Sequence, residues 1–123
     1  MTDLPYWTEE HHQIREMVRD FAENEIRPIA REHDLESKFP WETVKRMGEL
    51  GLMGATWSDE LGGAGLDYIS YLIIIEELAK VDVSHAITVS AHTTLGTSPI
   101  VNFGTDAQKQ KYVPLLATGQ VLD

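Results

Sequence analysis

Between Asp67 and Asp82 runs Tyr68 to Val81, a stretch that is apolar on nearly every side until Glu76 and Glu77. Its middle, Leu72-Ile73-Ile74-Ile75, could locally be a strand, because β-branched side chains favour sheets. Glu76 to Lys80 carry the pattern on with good helix formers, and Asp67 stands where an N-cap belongs. The pattern therefore predicts a helix. A helix apolar all round has to be wrapped by others. This one segment asks for an all-α bundle with Tyr68–Val81 at its centre.

The flanks supply the wrapping helices. Thr8 can N-cap a first helix, with Glu9 and Glu10 against its positive end. Ile14, Met17, Val18, Phe21 and Ala22 recur at three-and-four spacing, an amphipathic stripe. Pro28 interrupts the run, and an interior proline kinks or ends a helix at about 3 kcal/mol. A bent helix is expected from about Glu9 to about Leu35, with Ile29 continuing the buried face. Phe39-Pro40-Trp41 opens a second, shorter helix. Its Val44, Met47 and Leu50 face inward, and Gly51 is its C′ residue. Asp82 or Ser84 starts a fourth helix that runs to about Leu95 or Gly96. Thr97 or Ser98, with Pro99 at N1, starts a short one ending at Gly104. Thr105-Asp-Ala-Gln108 fits a capping box for a last helix through Tyr112. Pro114 kinks or stops that helix, and Gly119 closes it. The expected fold is a bundle of about five to six helices over residues 1–119, with 120–123 beginning a new element.

Charge and composition narrow the function. Ten basic and twenty acidic side chains among 123 residues leave a net charge of −10. Nucleic acid and anionic membranes attract Lys and Arg, so neither is an expected partner. With no cysteine in the chain, disulfides, thiolate metal sites and a cysteine nucleophile are excluded. The longest unbroken apolar stretch, Tyr71 to Ile75, is far too short to span a bilayer. Met1 to Trp7 carry no basic or apolar leader pattern, so a cytoplasm-like compartment is expected.

The candidate motifs for chemistry read mostly as structure. Gly54, Gly62, Gly63 and Gly65 crowd one loop, which implies positive φ angles or close backbone approach. Neither GxGxxG nor GxxxxGK[ST] is present, so a tight connection outweighs a phosphate cradle. Glu9-x-x-His12 has the form used by di-metal bundles, but Asp82-x-x-His85 is a poor second copy. Glu9 and His12 sit beside His11 in a first turn where exposure is expected, and no metal site is assigned. His33 and His92 have no ligand partner at helical spacing. None of Ser58, Ser70, Ser84, Ser90 and Ser98 lies in a G-x-S-x-G or S-x-x-K arrangement. The helix Ser84 to Leu95 mixes Ile87, Val89 and Leu95 with small or hydroxylated residues. Such a face permits close packing or lines a narrow apolar cavity.

Several segments, in order, resemble the N-terminal helical domain of the acyl-CoA dehydrogenase family. Phe21-Ala-Glu-Asn-Glu-Ile-Arg-Pro-Ile-Ala30 looks like its first kinked helix. Phe39-Pro-Trp-Glu42 and Gly48-Glu-Leu-Gly-Leu-Met-Gly54 resemble its second. Ser58-Asp-Glu-Leu-Gly-Gly-Ala-Gly-Leu-Asp67 and Ile75-Glu-Glu-Leu-Ala79 follow. Ser90-Ala-His-Thr-Thr-Leu-Gly96, Pro99-Ile100, Phe103-Gly-Thr105 and Gln108-Lys-Gln-Lys-Tyr112 complete the set. The resemblance implies a FAD enzyme that introduces an α,β double bond into an acyl-CoA thioester. It implies electron-transfer flavoprotein as acceptor, middle and C-terminal domains beyond this one, and a homotetramer. It also implies the mitochondrial matrix if the source is eukaryotic. In that family the glutamate base lies in the C-terminal domain and the flavin contacts mostly in the later domains. No catalytic or cofactor-binding residue is therefore carried over, and this domain alone is expected to be inactive and to bind no FAD. By position, Ile87, Ser90, Ala91, Thr94 and Leu95 should line the acyl pocket. Members acting on dicarboxylic acyl groups place an arginine early in this helix. Ser84-His-Ala-Ile87 has none, which disfavours a glutaryl-type substrate and leaves His85 as a weak substitute. An acyl-CoA oxidase, or a stand-alone non-catalytic helical module, are the alternatives.

Overall fold

The computed structural model describes residues 4–122, so Met1–Asp3 of the expected leader-free start and Asp123 of the expected new element lie outside them. The described residues form five helical paths and no strand. Thr8 caps the first as expected, its hydroxyl accepting from the His11 N–H, with the His11 side chain closing the capping box. Helix α1 (Glu9–Phe21) buries His11, Ile14, Val18 and Phe21. Met17 lies outside that stripe and is exposed, because Val18 takes the inward position one residue on. A π-helical segment, Ala22–Ile26, then leads into α2 (Arg27–Glu36), which has no fully buried residue. Ile29 is half-buried rather than part of the core. The path survives Pro28 because the widened turn before it lets the Arg27 N–H skip to the Ala22 carbonyl. Extra room ahead of the ring relieves its clash with the preceding turn.

Pro40 precedes α3 (Trp41–Glu49), where Thr43, Val44, Met47 and Gly48 are buried. Leu50 is half-buried, and Gly51 turns the chain at φ 82°. Two single 3-10 turns, Leu52–Gly54 and Asp59–Leu61, shape the glycine loop. Asp67 caps α4 (Tyr68–Val81) by accepting the Ser70 N–H at 2.8 Å.

Helix α4 packs against α1 on one side and, on the other, against α5 (Val83–Ala91). His11 bonds Asp67 at one end and Arg19 bonds Glu77 at the other, so α1 and α4 run parallel. Asp82 alone separates α4 from α5, which returns antiparallel. The expectation of a helix buried all round needs correction twice. Tyr68 and Leu72 are 73 % and 61 % exposed, since α1 and α5 cover two sides and leave a third open. Glu77, by contrast, is buried between α1 and α4.

A second π-helical segment, His92–Thr97, joins α5 to α6 (Ser98–Phe103) without the expected break near Gly96. The Pro28 solution recurs here: the Ser98 N–H reaches back to Thr93, and the Thr97 hydroxyl donates to the His92 carbonyl at 2.9 Å. Gly104 ends α6 as expected. The Thr105–Gln108 capping box is present at the start of α7 (Asp106–Ala117). That helix continues through Pro114 instead of stopping there. The carbonyl of Gln110, which loses its partner, is on an exposed residue where water can serve it. Thr118 donates to the Pro114 carbonyl at 2.7 Å, and Gly119 closes the helix at φ 75°.

Candidate functional site

Helix α5 has two different faces. Ala86, Val89, His92 and Thr93 point into the bundle and are buried. Ile87, Ser90, Ala91 and Thr94 recur at three-and-four spacing on the other side. Ile87 is 60 % exposed, Thr94 is exposed, and Ser90 and Ala91 are half-buried. Leu95 follows Thr94 inside the π-helical segment and is 75 % exposed. The structure thus brings four of the five expected pocket residues onto one open face and sets the fifth beside them. The hydroxyl of Thr94 is turned back onto the Ser90 carbonyl at 2.7 Å. That satisfies its polar atom within the helix and leaves its methyl group on the face.

The glycine loop is spent on itself. Gly62, Gly63, Ala64, Gly65 and Leu66 donate their N–H groups to Asp59, Ser58, Gly54, Trp57 and Ala55 carbonyls at 2.8–3.0 Å. A phosphate cradle needs such amides free. The loop therefore does not fit the pyrophosphate of FAD, and its glycines serve turns and close approach, as expected. Among the described residues no group of three His, Asp or Glu side chains is placed to hold a metal ion.

The family model for "Acyl-CoA dehydrogenase, N-terminal domain" matches residues 8–120. The chain belongs to the acyl-CoA dehydrogenase family. It is 51 % identical over 113 residues to the short-chain specific acyl-CoA dehydrogenase of Clostridium acetobutylicum, covering 92 % of this chain and 30 % of that protein. Two solved structures superpose on it over 98 % of its length. One, of the electron transferring flavoprotein of Acidaminococcus fermentans, has a TM-score of 0.92 at 38 % identity and is covered to 32 %. The other, an acyl-CoA dehydrogenase from Bacillus anthracis complexed with FAD, has a TM-score of 0.83 at 40 % identity and is covered to 21 %. The chain spans about a third or less of the proteins it matches.

Within this acyl-CoA dehydrogenase domain, the histidines do work that the sequence reading missed. His11 was expected on the surface; it is buried, and its ring bonds the Asp67 carboxylate at 2.9 Å. A threonine three residues before a side chain able to accept was a legible capping signal, although glutamate is the usual third member. His85 is buried between the Asp82 carboxylate, which takes its Nδ1–H at 2.5 Å, and the Thr43 hydroxyl, 2.7 Å from Nε2. Its ring is turned into the bundle, away from the Ile87 face, so it cannot stand in for an arginine against a dicarboxylic acyl group. Thr43, the third member, is buried and does not line the adjoining cavity of about 350 Å³, so the chain of bonds ties α3 to α5 rather than presenting a nucleophile. His92 donates from Nε2 to the Leu116 carbonyl at 2.7 Å, tying the second π-helical segment to α7.

Asp67 shows how these ties set acid behaviour. The Ser70 amide and the His11 ring hold its carboxyl down at about 2. Its contribution to stability is therefore complete above the unfolded carboxyl value near 3.9 and is lost as pH falls from about 4 through about 2. Asp67→Ala is expected to destabilise by about 1 kcal/mol at neutral pH, a typical N-cap loss. The deficit, read from denaturant midpoints, should shrink across that acid window.

Proposed function

We propose that this domain is the N-terminal part of a FAD-dependent enzyme that forms an α,β double bond in acyl-CoA thioesters, and that the face Ile87, Ser90, Ala91, Thr94 and Leu95 lines its acyl pocket. The observation that carries the pocket assignment is the face itself. It mixes small and apolar side chains, its threonine hydroxyl is internally satisfied, and it stands open where further chain can close over it. The Clostridium relative's name supports a short acyl group. The Acidaminococcus structure supports electron-transfer flavoprotein as the acceptor.

The domain's role in this reading is to bind and orient the acyl tail and exclude water around it. FAD supplies hydride acceptance when bound. The glycine loop offers it no pyrophosphate site, and in this reading the middle and C-terminal domains of the complete protein supply the flavin contacts and the catalytic base. The complete protein is proposed to assemble as a homotetramer in the cytoplasm, or in the mitochondrial matrix of a eukaryote. No helix among the described residues is long and apolar enough to cross a membrane.

Ala91→Leu in the complete enzyme tests the pocket. Each methylene of room in an apolar pocket is worth about 1–3 kcal/mol, so kcat/KM for the longest accepted acyl-CoA should drop roughly 10-fold or more. The shortest substrate should be spared and FAD content unchanged. An equal loss for every chain length would remove the face from the pocket.

A further inference from the structure

The imidazole of His11 sits where two helix N-termini meet, and its bonds decide where its protons are. The Thr8 backbone N–H donates to Nδ1 at 3.0 Å, so Nδ1 presents a lone pair. The ring's hydrogen is then on Nε2, which donates to the Asp67 carboxylate, 2.9 and 3.2 Å from its two oxygens. Asp67 is itself the N-cap of α4. Neutral His11 thus closes the capping box of α1 and clips that box to the cap of α4.

We propose that His11 is a proton-operated latch: neutral, it holds the N-termini of α1 and α4 together, and protonated, it releases the Thr8 N–H half of the α1 capping box while keeping the bridge to α4. A proton added at Nδ1 faces the Thr8 N–H, donor against donor, and that bond is lost. The Nε2–H bond to Asp67 becomes charge-assisted on both sides and strengthens. From α4 the charged group at the ring is Asp67. From the preceding segment Trp7 packs edge-on at 6.5 Å. On α1 itself, His12 packs on the same indole at 5.5 Å and the Arg15 guanidinium lies 5.5 Å over it, while Glu9 and Glu10 occupy the exposed first turn. Releasing Thr8 therefore loosens the seat of Trp7. An imidazole changes charge between about pH 5 and 8, where a glutamate in the same box would stay ionised.

His11→Gln separates titration from bonding. A glutamine at this position keeps the capping box through its amide oxygen and can offer its NH2 group to Asp67, yet does not titrate. Hydrogen exchange would be measured on the full chain at the Thr8 and Ser70 amides, as protection factors at about pH 7.5 and pH 5. Expected is a fall of about tenfold at Thr8 on acidification, the size of one lost hydrogen bond, with Ser70 unchanged. Both positions should be flat in the glutamine variant. No fall in the wild type, an equal fall in the variant, or a matching fall at Ser70 would each overturn the latch. Should the variant fail to fold, the wild-type contrast between Thr8 and Ser70 still decides.

Discussion

Replacing Arg19 and Lys80 together by methionine is expected to destabilise the chain by about 3–5 kcal/mol near neutral pH, because it strands a buried carboxylate. Glu77 is 2 % exposed. Arg19 grips it with a fork, Nη2 and Nε at 3.1 and 3.4 Å, and Lys80 Nζ lies 3.1 Å from Oε1. Burial pushes the Glu77 carboxyl up, but the bonds and charges of Arg19 and Lys80 outweigh it and hold the group below its ordinary range. In the native chain its stabilisation is present above the unfolded value near 4.3 and is lost as pH falls through the lower folded value. In the double variant burial alone remains and the sign reverses. The folded pKa then lies above the unfolded one, so the deficit is small below about pH 4 and grows as pH rises. Denaturant midpoints at about pH 7 and about pH 4 read this directly. A deficit equal at both would assign the loss to packing instead. Adding Glu77→Leu should recover most of it, since an apolar residue has no charge to strand.

Gly54→Ala is expected to cost about 3 kcal/mol, at the upper end for overpacking. A Cβ there would lie 2.6 Å from the Ala117 carbonyl oxygen and 2.8 Å from its Cα, both backbone atoms of α7 that cannot rotate away. Either α7 lifts from the 52–54 turn or the turn distorts. Gly65→Ala is the internal control. That glycine has φ +66° and open space around it, so the substitution meets only the left-handed backbone penalty of about 1–2 kcal/mol. Urea unfolding should therefore rank Gly54→Ala as clearly the worse. The reverse order would mean that α7 docks loosely enough to yield.

Range decides which features of this chain are legible in its sequence. The cap at Asp67, the Thr105–Gln108 box and the C-terminal glycines were legible because each involves residues within four positions of one another. Pro28 reads correctly as lying within one helical path, which a π-helical segment carries on to Glu36. Pro99 misleads, because a local rule expects it to start a new helix, whereas the π-helical segment ahead of it keeps the path from α5 continuous. The fifth expected helix merges with the fourth as a result. The α5 face was legible as a mixed small and apolar stripe, and its openness on α5 required the folded arrangement.

By itself the sequence determined the helical class, the capping of α1, α4 and α7, the glycine turns and the segments that carry the family likeness. Backbone propensity and hydrophobic period are written within a few residues, so they survive without knowledge of the fold. Tertiary structure alone decided that Glu77 is buried against Arg19, that His11 joins Asp67 across 56 positions, and that His85 meets Thr43 across 42. Those pairs depend on α1 and α4 running parallel and α5 returning between α4 and α3. A polar side chain on an apolar stripe reveals its burial, but its partner is set by the path of the chain.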